Sequence, residues 1–238
     1  MNTKGKNSIK ESKLRVTTPK LIRWAGLSAV VAGIIFASIL PIYPPVNTSD
    51  FLIISFFKTI MPIFGLLGIT GLYARQVEET GWLGLAGYLL LTIFFAIQMC
   101  ISFIELTTLP LLTTVAPTFV ESALGMASGD GGSMNLGTLA TAYSLASILF
   151  LLGLLLFGIA MFRARILPRW AAILLALSGP LAGIMFRLLP HQLDRLTAIP
   201  TGLAMAWLGY ALFSERREKP SESLLDQGIV SQEPSKVA

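Results

Sequence analysis

Apolar residues gather in six stretches of this chain, and polar residues lie in the joints between them. The stretches are residues 24–42, 51–73, 82–104, 139–161, 170–189 and 196–213. Each holds about 18 residues or more, and about 20 helical residues rising 1.5 Å apiece cross the ~30 Å hydrocarbon layer of a bilayer. Lipid offers no partner to a backbone N–H or C=O, so such stretches are expected to be helices, which pair those groups internally. The pattern therefore predicts an all-α membrane protein built as a six-transmembrane-helix bundle. A hairpin over 51–105 organises the rest: two long apolar runs joined by the short polar turn 74–81, with Lys58 as the only ionisable residue deep within any run.

Composition agrees with that pattern. Of the 238 residues 54% are hydrophobic and 13% charged, and the mean hydropathy is +0.72. A soluble domain carries roughly 25% charged residues. The net charge of +5 would suit nucleic acid, but the positions of the basic residues argue against that partner. Seven precede the first run: Lys4, Lys6, Lys10, Lys13, Arg15, Lys20 and Arg23. Arg75 follows the second run, Arg163, Arg165 and Arg169 join the fourth to the fifth, and Arg216, Arg217, Lys219 and Lys236 follow the sixth. Fifteen of the 18 thus fall on one side, with Arg187 and Arg195 near the other and Lys58 inside a span. The positive-inside rule then predicts that the N and C termini are cytoplasmic. Residues 1–20 read as a basic cytoplasmic tail, 21–214 as the membrane domain with one long outer loop at 106–138, and 215–238 as a cytoplasmic C-terminal tail. The lipid bilayer is the first partner, and nucleic acid is not one.

The run 24–42 is long for a secretory signal core, and no small-residue cleavage motif precedes Pro41, Pro44 and Pro45, so it reads as a retained span. Cys100, the single cysteine, permits no intrachain disulfide and no cysteine-based metal site, and reads as a packing residue. Asn47-Thr48-Ser49 matches a glycosylation sequon but lies too close to the membrane for one. Ala29, Gly33 and Ala37 in the first run and Gly65, Gly68 and Gly71 in the second are small-residue stripes that let another helix approach. Pro62 is expected to kink the second helix, and Gly179-Pro180 with Gly183 to break the fifth near its middle. Thr141, Ser144 and Ser147 read as interhelical hydrogen-bonding groups. In the outer loop, Pro117 is expected to open a short helix with Phe119, Val120, Leu124 and Met126 on its apolar side, lying on the membrane or capping the bundle. The Ser128 to Ser133 run reads as a flexible turn. A weak echo relates Gly68, Leu72 and Arg75 to Gly158, Phe162 and Arg165, and to Gly209, Phe213 and Arg216. It fits either a duplicated hairpin or convergent interface chemistry.

Two turns carry a likeness. Gly71-Leu72-Tyr73-Ala74-Arg75-Gln76 leading to Gly81-Trp82-Leu83-Gly84, and Arg163-Ala164-Arg165-Ile166-Leu167-Pro168-Arg169-Trp170-Ala171, resemble the cytoplasmic turns of small bacterial multi-pass integral membrane proteins of unknown function. The resemblance implies a bacterial cytoplasmic membrane location, and no activity or site.

Candidate chemistry centres on Lys58. It lies seven residues after Phe51, about 10 Å into the apolar layer. A charge at mid-helix costs about 3 kcal/mol on the insertion scale, while each of the span's thirteen Phe, Leu and Ile residues returns roughly 0.3–0.6 kcal/mol, so the helix still inserts. The lysine either snorkels to the outer headgroups or meets a partner in a polar recess. Gln98, Ser102 and Glu105 share one face of the third helix, with Gln98 at a similar depth and Glu105 near the outer surface. Glu105 is the expected counter-ion of Lys58, and Gln98 a hydrogen-bonding neighbour. Arg187, His191, Asp194 and Arg195 cluster at the outer end of the fifth and sixth helices, either as a charged rim or as a solvated turn. No catalytic set, metal-binding spacing or phosphate-cradling loop occurs, so the expectation is a protein that is not an enzyme and needs no cofactor or metal. Lys58, Gln98, Glu105 and Arg187 are the candidate ligand-binding residues for a small solute bound or moved through an outward-facing recess. The alternative is an assembly or sensory partner that uses its small-residue stripes to hold another membrane protein.

Overall fold

In the computed structural model, described for residues 18–42, 44–128, 133–188 and 194–230, every element among those residues is helical. In chain order the helices are α1 (Thr18–Ser38), α2 (Ser49–Arg75), α3 (Val77–Thr107), α4 (Leu109–Leu112), α5 (Pro117–Ser128), α6 (Thr138–Ala164), α7 (Arg169–Leu188) and α8 (Ala198–Val230), with a 3₁₀ turn at Asp194–Thr197 before α8. The six long helices coincide with the six apolar runs, and apart from the C-terminal end of α8 their ends differ from the runs by a few residues. α1 starts earlier than its run and stops at Ser38, leaving 39–42 as a turn. α8 continues as helix to Val230, past its apolar part at Ala198–Ser214 and into the segment expected to be a tail.

Four helices, α1 from Lys20, α2, α3 and α6, are long and apolar enough to cross a membrane. The apolar parts of α7 (Arg169–Ile184) and α8 (Ala198–Ser214) are shorter. At 1.5 Å per residue they reach about 25 Å, a little under the hydrocarbon thickness. Only 33% to 39% of the most apolar stretch of each long helix is buried, yet the remainder is apolar too. Leu52, Ile53, Phe56, Ile63 and Leu67 on α2, and Leu177, Leu181 and Ile184 on α7, all point outward. In water that surface would be an aggregation face; against lipid it is the correct one. These helices point to a membrane protein.

The helices form a closed ring in sequence order. α1 packs on α2, α2 on α3, α3 on α6, α6 on α7, α7 on α8, and α8 returns to α1. Glycine makes the closing seam. Helices α1 and α8 run antiparallel with Gly26 opposite Gly209 and Gly33 opposite Gly202, so backbone meets backbone. A β-carbon on Gly209 would stand 2.6 Å from the Gly26 carbonyl oxygen, and one on Gly33 would collide with the carbonyl of Gly202. Arg23, over the ring of Phe213 at 4.3 Å, ties the same two helices at the basic end.

The second stripe divides between two neighbours. Gly68 and Gly71 face Ala29 and Ala25 of α1, whereas Gly65 faces Phe95 of α3. The reason is rotation: each three-residue step falls about 60° short of a full helical turn, so a three-residue stripe cannot stay on one seam. The echoing glycines, Gly68, Gly158 and Gly209, all lie at close helix contacts, against Ala29, Ala176 and Gly26 respectively. Neither proline breaks its helix: α2 is continuous through Pro62 and α7 through Pro180. A proline removes one backbone donor, and the helix on either side keeps the rest of its ladder. The break in the ladder falls instead at Gly81, inside the first turns of α3, whose φ of 56° and ψ of −152° belong to a region open essentially to glycine alone and kink the helix there.

Candidate functional site

The ring is filled at its basic end and hollow at the other. Towards the basic end the core is closed by Leu72, Phe157, Met161, Leu175, Leu208 and Leu212. Toward the opposite end lies a cavity of about 420 Å³ to which all six ring helices contribute. Over it sits α5, which does open at Pro117 and buries Val120 and Ala123, with Phe119, Leu124 and Met126 partly buried, against Leu109 and Leu136. The apolar side expected from the sequence is thus turned onto the bundle as a cap, and Met126 lines the cavity. Ser122 fastens that cap by accepting a 3.2 Å hydrogen bond from the Met134 amide.

Three of the four candidate residues meet here. Lys58 from α2 and Gln98 and Glu105 from α3 all line the cavity. Lys58 is 7% exposed, so its side chain is enclosed by the ring instead of lying along the lipid surface. Glu105 was expected near the outer surface and is 6% exposed. It shares the lining of the cavity with Met126 of α5 and Tyr143 of α6, at the end of the bundle that α5 caps. The Tyr143 hydroxyl of α6 donates to Glu105 Oε1 at 2.8 Å. Gln98 Nε2 donates to Ser102 Oγ at 3.2 Å, which fixes the amide along the shared helix face. The backbone of Arg187 belongs to α7, but its side chain, those of Asp194 and Arg195, and all of His191 lie outside the described residues. So does the 129–132 part of the glycine-rich turn.

Another part of the lining, on the same faces of α3 and α6 one to two turns away, is aromatic. Phe36 of α1 stacks on Phe150 of α6 with centroids 5.8 Å apart, and Phe94 of α3 meets Phe150 at 4.8 Å. Ala146, Ala182 and Gly183 leave the space that larger side chains would fill. The cavity therefore joins an apolar wall to a polar group made of a lysine, a carboxylate, an amide and a phenol.

Sequence reasoning missed Tyr143 and the three phenylalanines. A tyrosine in the second turn of a span reads as an interfacial anchor, and a phenylalanine in an apolar run gives no sign of which way it faces. Two other readings are corrected. Thr141, Ser144 and Ser147 do not bridge helices in the described structure; each hydroxyl donates to the carbonyl four residues back, Gly137, Ala140 and Tyr143. That carbonyl is always within reach of a short hydroxyl, so local bonding competes with a neighbour. Cys100 is exposed on the lipid-facing side instead of packing in the core. Thr48 of the sequon has a structural role, capping α2 by accepting from the Phe51 amide at 3.3 Å and donating to the Pro45 carbonyl at 2.7 Å.

Among the described residues no group of three or more His, Cys, Asp or Glu side chains is placed to hold a metal. No protein-family model matches the chain, and no curated protein or solved structure is similar to it. The resemblance of the two turn motifs thus leads to no named family, and apolar helices are what the chain has in common with membrane proteins.

Proposed function

We propose that this chain is a multi-pass protein of the bacterial cytoplasmic membrane, with six spans and both termini in the cytoplasm, that binds or moves a small solute through its central cavity. One observation carries the reading. Lys58, Gln98 and Glu105, picked out by depth and helix face, line a single cavity to which every helix of the ring contributes. A volume of about 420 Å³ lies within the ~300–1,000 Å³ range of small-molecule sites. Ionisable residues inside a membrane bundle are costly, and function is the default reason for their presence.

Orientation follows from charge. Arg75, Arg163, Arg165 and Arg169 lie at one end of the ring together with the exposed Trp82 and Trp170. The positive-inside rule makes that end cytoplasmic, so the cavity opens outward beneath α5. Shorter spans in α7 and α8 are accommodated by local thinning or by flanking anchors such as the exposed Trp170 and Tyr210. The assembly-partner reading has less to draw on, because the stripes at Ala29, Gly33, Ala37, Gly68 and Gly71 are occupied by the chain's own helices.

The test is a thermal-stability screen of the purified protein against a broad panel of small polar and amphipathic solutes. A solute that raises the melting temperature of the native protein, and no longer does so in Lys58→Met, supports the reading. Hits that act equally on Lys58→Met and Gln98→Ala, or a panel without any hit, overturn it.

A further inference from the structure

The make-up of the cavity restricts what fits it. Resting on the reading of the cavity as a ligand site, we propose that its ligand is a small amphipathic zwitterion, of the class of an apolar α-amino acid: a primary ammonium and a carboxylate on one end and an apolar body on the other.

Charge is the first argument. Among the described side chains that line it, the cavity has one formal cation, Lys58, and one formal anion, Glu105, both buried. Their sum is zero. A ligand with net charge would leave an uncompensated charge in a space walled by hydrocarbon, which is expensive whichever sign it carries. A ligand with one charge of each sign adds none, and it can match both.

The donors and acceptors are the second argument. The Gln98 amide nitrogen is engaged by Ser102, which leaves its carbonyl oxygen to accept. That oxygen and the Glu105 carboxylate, both on α3, form an acceptor pair suited to an ammonium. Glu105 is held for this by the Tyr143 hydroxyl, which takes one of its oxygens at 2.8 Å. Lys58, on the neighbouring helix α2, is the donor suited to a carboxylate.

Size and the apolar wall complete the case. Phe36, Phe94 and Phe150 form one continuous aromatic surface from three helices. The space beside them, within about 420 Å³, takes a side chain the size of phenylalanine or leucine and excludes a two-chain lipid.

Isothermal titration calorimetry on the full chain in lipid nanodiscs tests this with four probes of one shape: L-phenylalanine, phenylpropionate, phenethylamine and the uncharged phenylpropionamide. L-phenylalanine is expected to bind at least about tenfold more tightly than each of the others, the value of one charge-assisted contact. Glu105→Gln should then move the preference toward phenylpropionate, and Lys58→Met toward phenethylamine. Because the comparison among probes uses the native protein, it stands even if a variant fails to fold. Tighter binding of a singly charged or uncharged probe overturns the zwitterion and leaves the cavity as a ligand site. Binding of no probe also overturns it, and the wider solute panel then decides separately whether the cavity takes a ligand at all.

Discussion

The Tyr143 hydroxyl lies 2.8 Å from Glu105 Oε1 and donates to it, joining α6 to α3 at the level of the cavity. The two residues are 38 apart in the chain, and the bond ends on a carboxylate that is 6% exposed. Removing the donor leaves that oxygen buried without it. Tyr143→Phe is therefore expected to destabilise the protein by about 1–3 kcal/mol, the cost of a buried polar group deprived of its partner. Thermal unfolding in detergent, compared with the native chain, reads the loss; an unchanged melting temperature would show that the bond contributes nothing net.

The α1–α8 seam gives a contrast between two glycines. A methyl group at Gly33 meets the backbone of Gly202 and Ala206, neither of which can rotate away, so Gly33→Ala should cost about 1–3 kcal/mol by overpacking. Gly183, on α7, has its nearest neighbours at 3.7 Å and 3.8 Å, both ends of the Leu151 side chain. There the gain in helix propensity of up to about 1 kcal/mol is unopposed, and Gly183→Ala should be neutral or stabilising. Equal effects of the two substitutions would contradict the packing described.

Gln76, between α2 and α3, is fully buried, and among the described residues neither atom of its amide has a hydrogen-bond partner. Replacing an unsatisfied buried amide with an apolar side chain of similar shape removes a penalty of about 1–3 kcal/mol. Gln76→Met is thus expected to raise the melting temperature. A fall would mean that the amide is satisfied in the membrane-embedded protein.

Topology can be read with single cysteines. Cys100 faces outward from the bundle, so Cys100→Ala should change stability by no more than about 0.5 kcal/mol and give a cysteine-free background. Glu121 on α5 and Glu79 at the start of α3 are both exposed, at opposite ends of the ring. A membrane-impermeant maleimide should label Glu121→Cys in intact cells and Glu79→Cys only after lysis. Labelling of both from one side would overturn the six-span arrangement.

Much of the architecture is present in the sequence because a bilayer imposes its own ruler. Six apolar runs correspond to the six long helices, and Pro117 does open α5, since length, proline position and hydrophobicity act locally. Lys58, Gln98 and Glu105 were recognisable for the same reason: an ionisable group in an apolar run is conspicuous, and residues spaced by four and three share a helix face. The misreadings have a physical cause in common. Hydrophobicity all around a helix removes the periodicity that would tell core from lipid, so nothing local could reveal that Cys100 faces outward or that Phe94 and Phe150 face in.

The sequence by itself determined that the chain is helical, where its apolar helices run, and which polar residues are exceptional within them. The rest was decided by packing. Closure of the ring depends on Gly26 and Gly33 meeting Gly209 and Gly202, a fit between backbones more than 160 residues apart that leaves no trace in either segment alone. The burial of Glu105, its bond from Tyr143, and a cavity lined by six helices depend on that closure. They are properties of surfaces brought together, and only the tertiary structure could decide them.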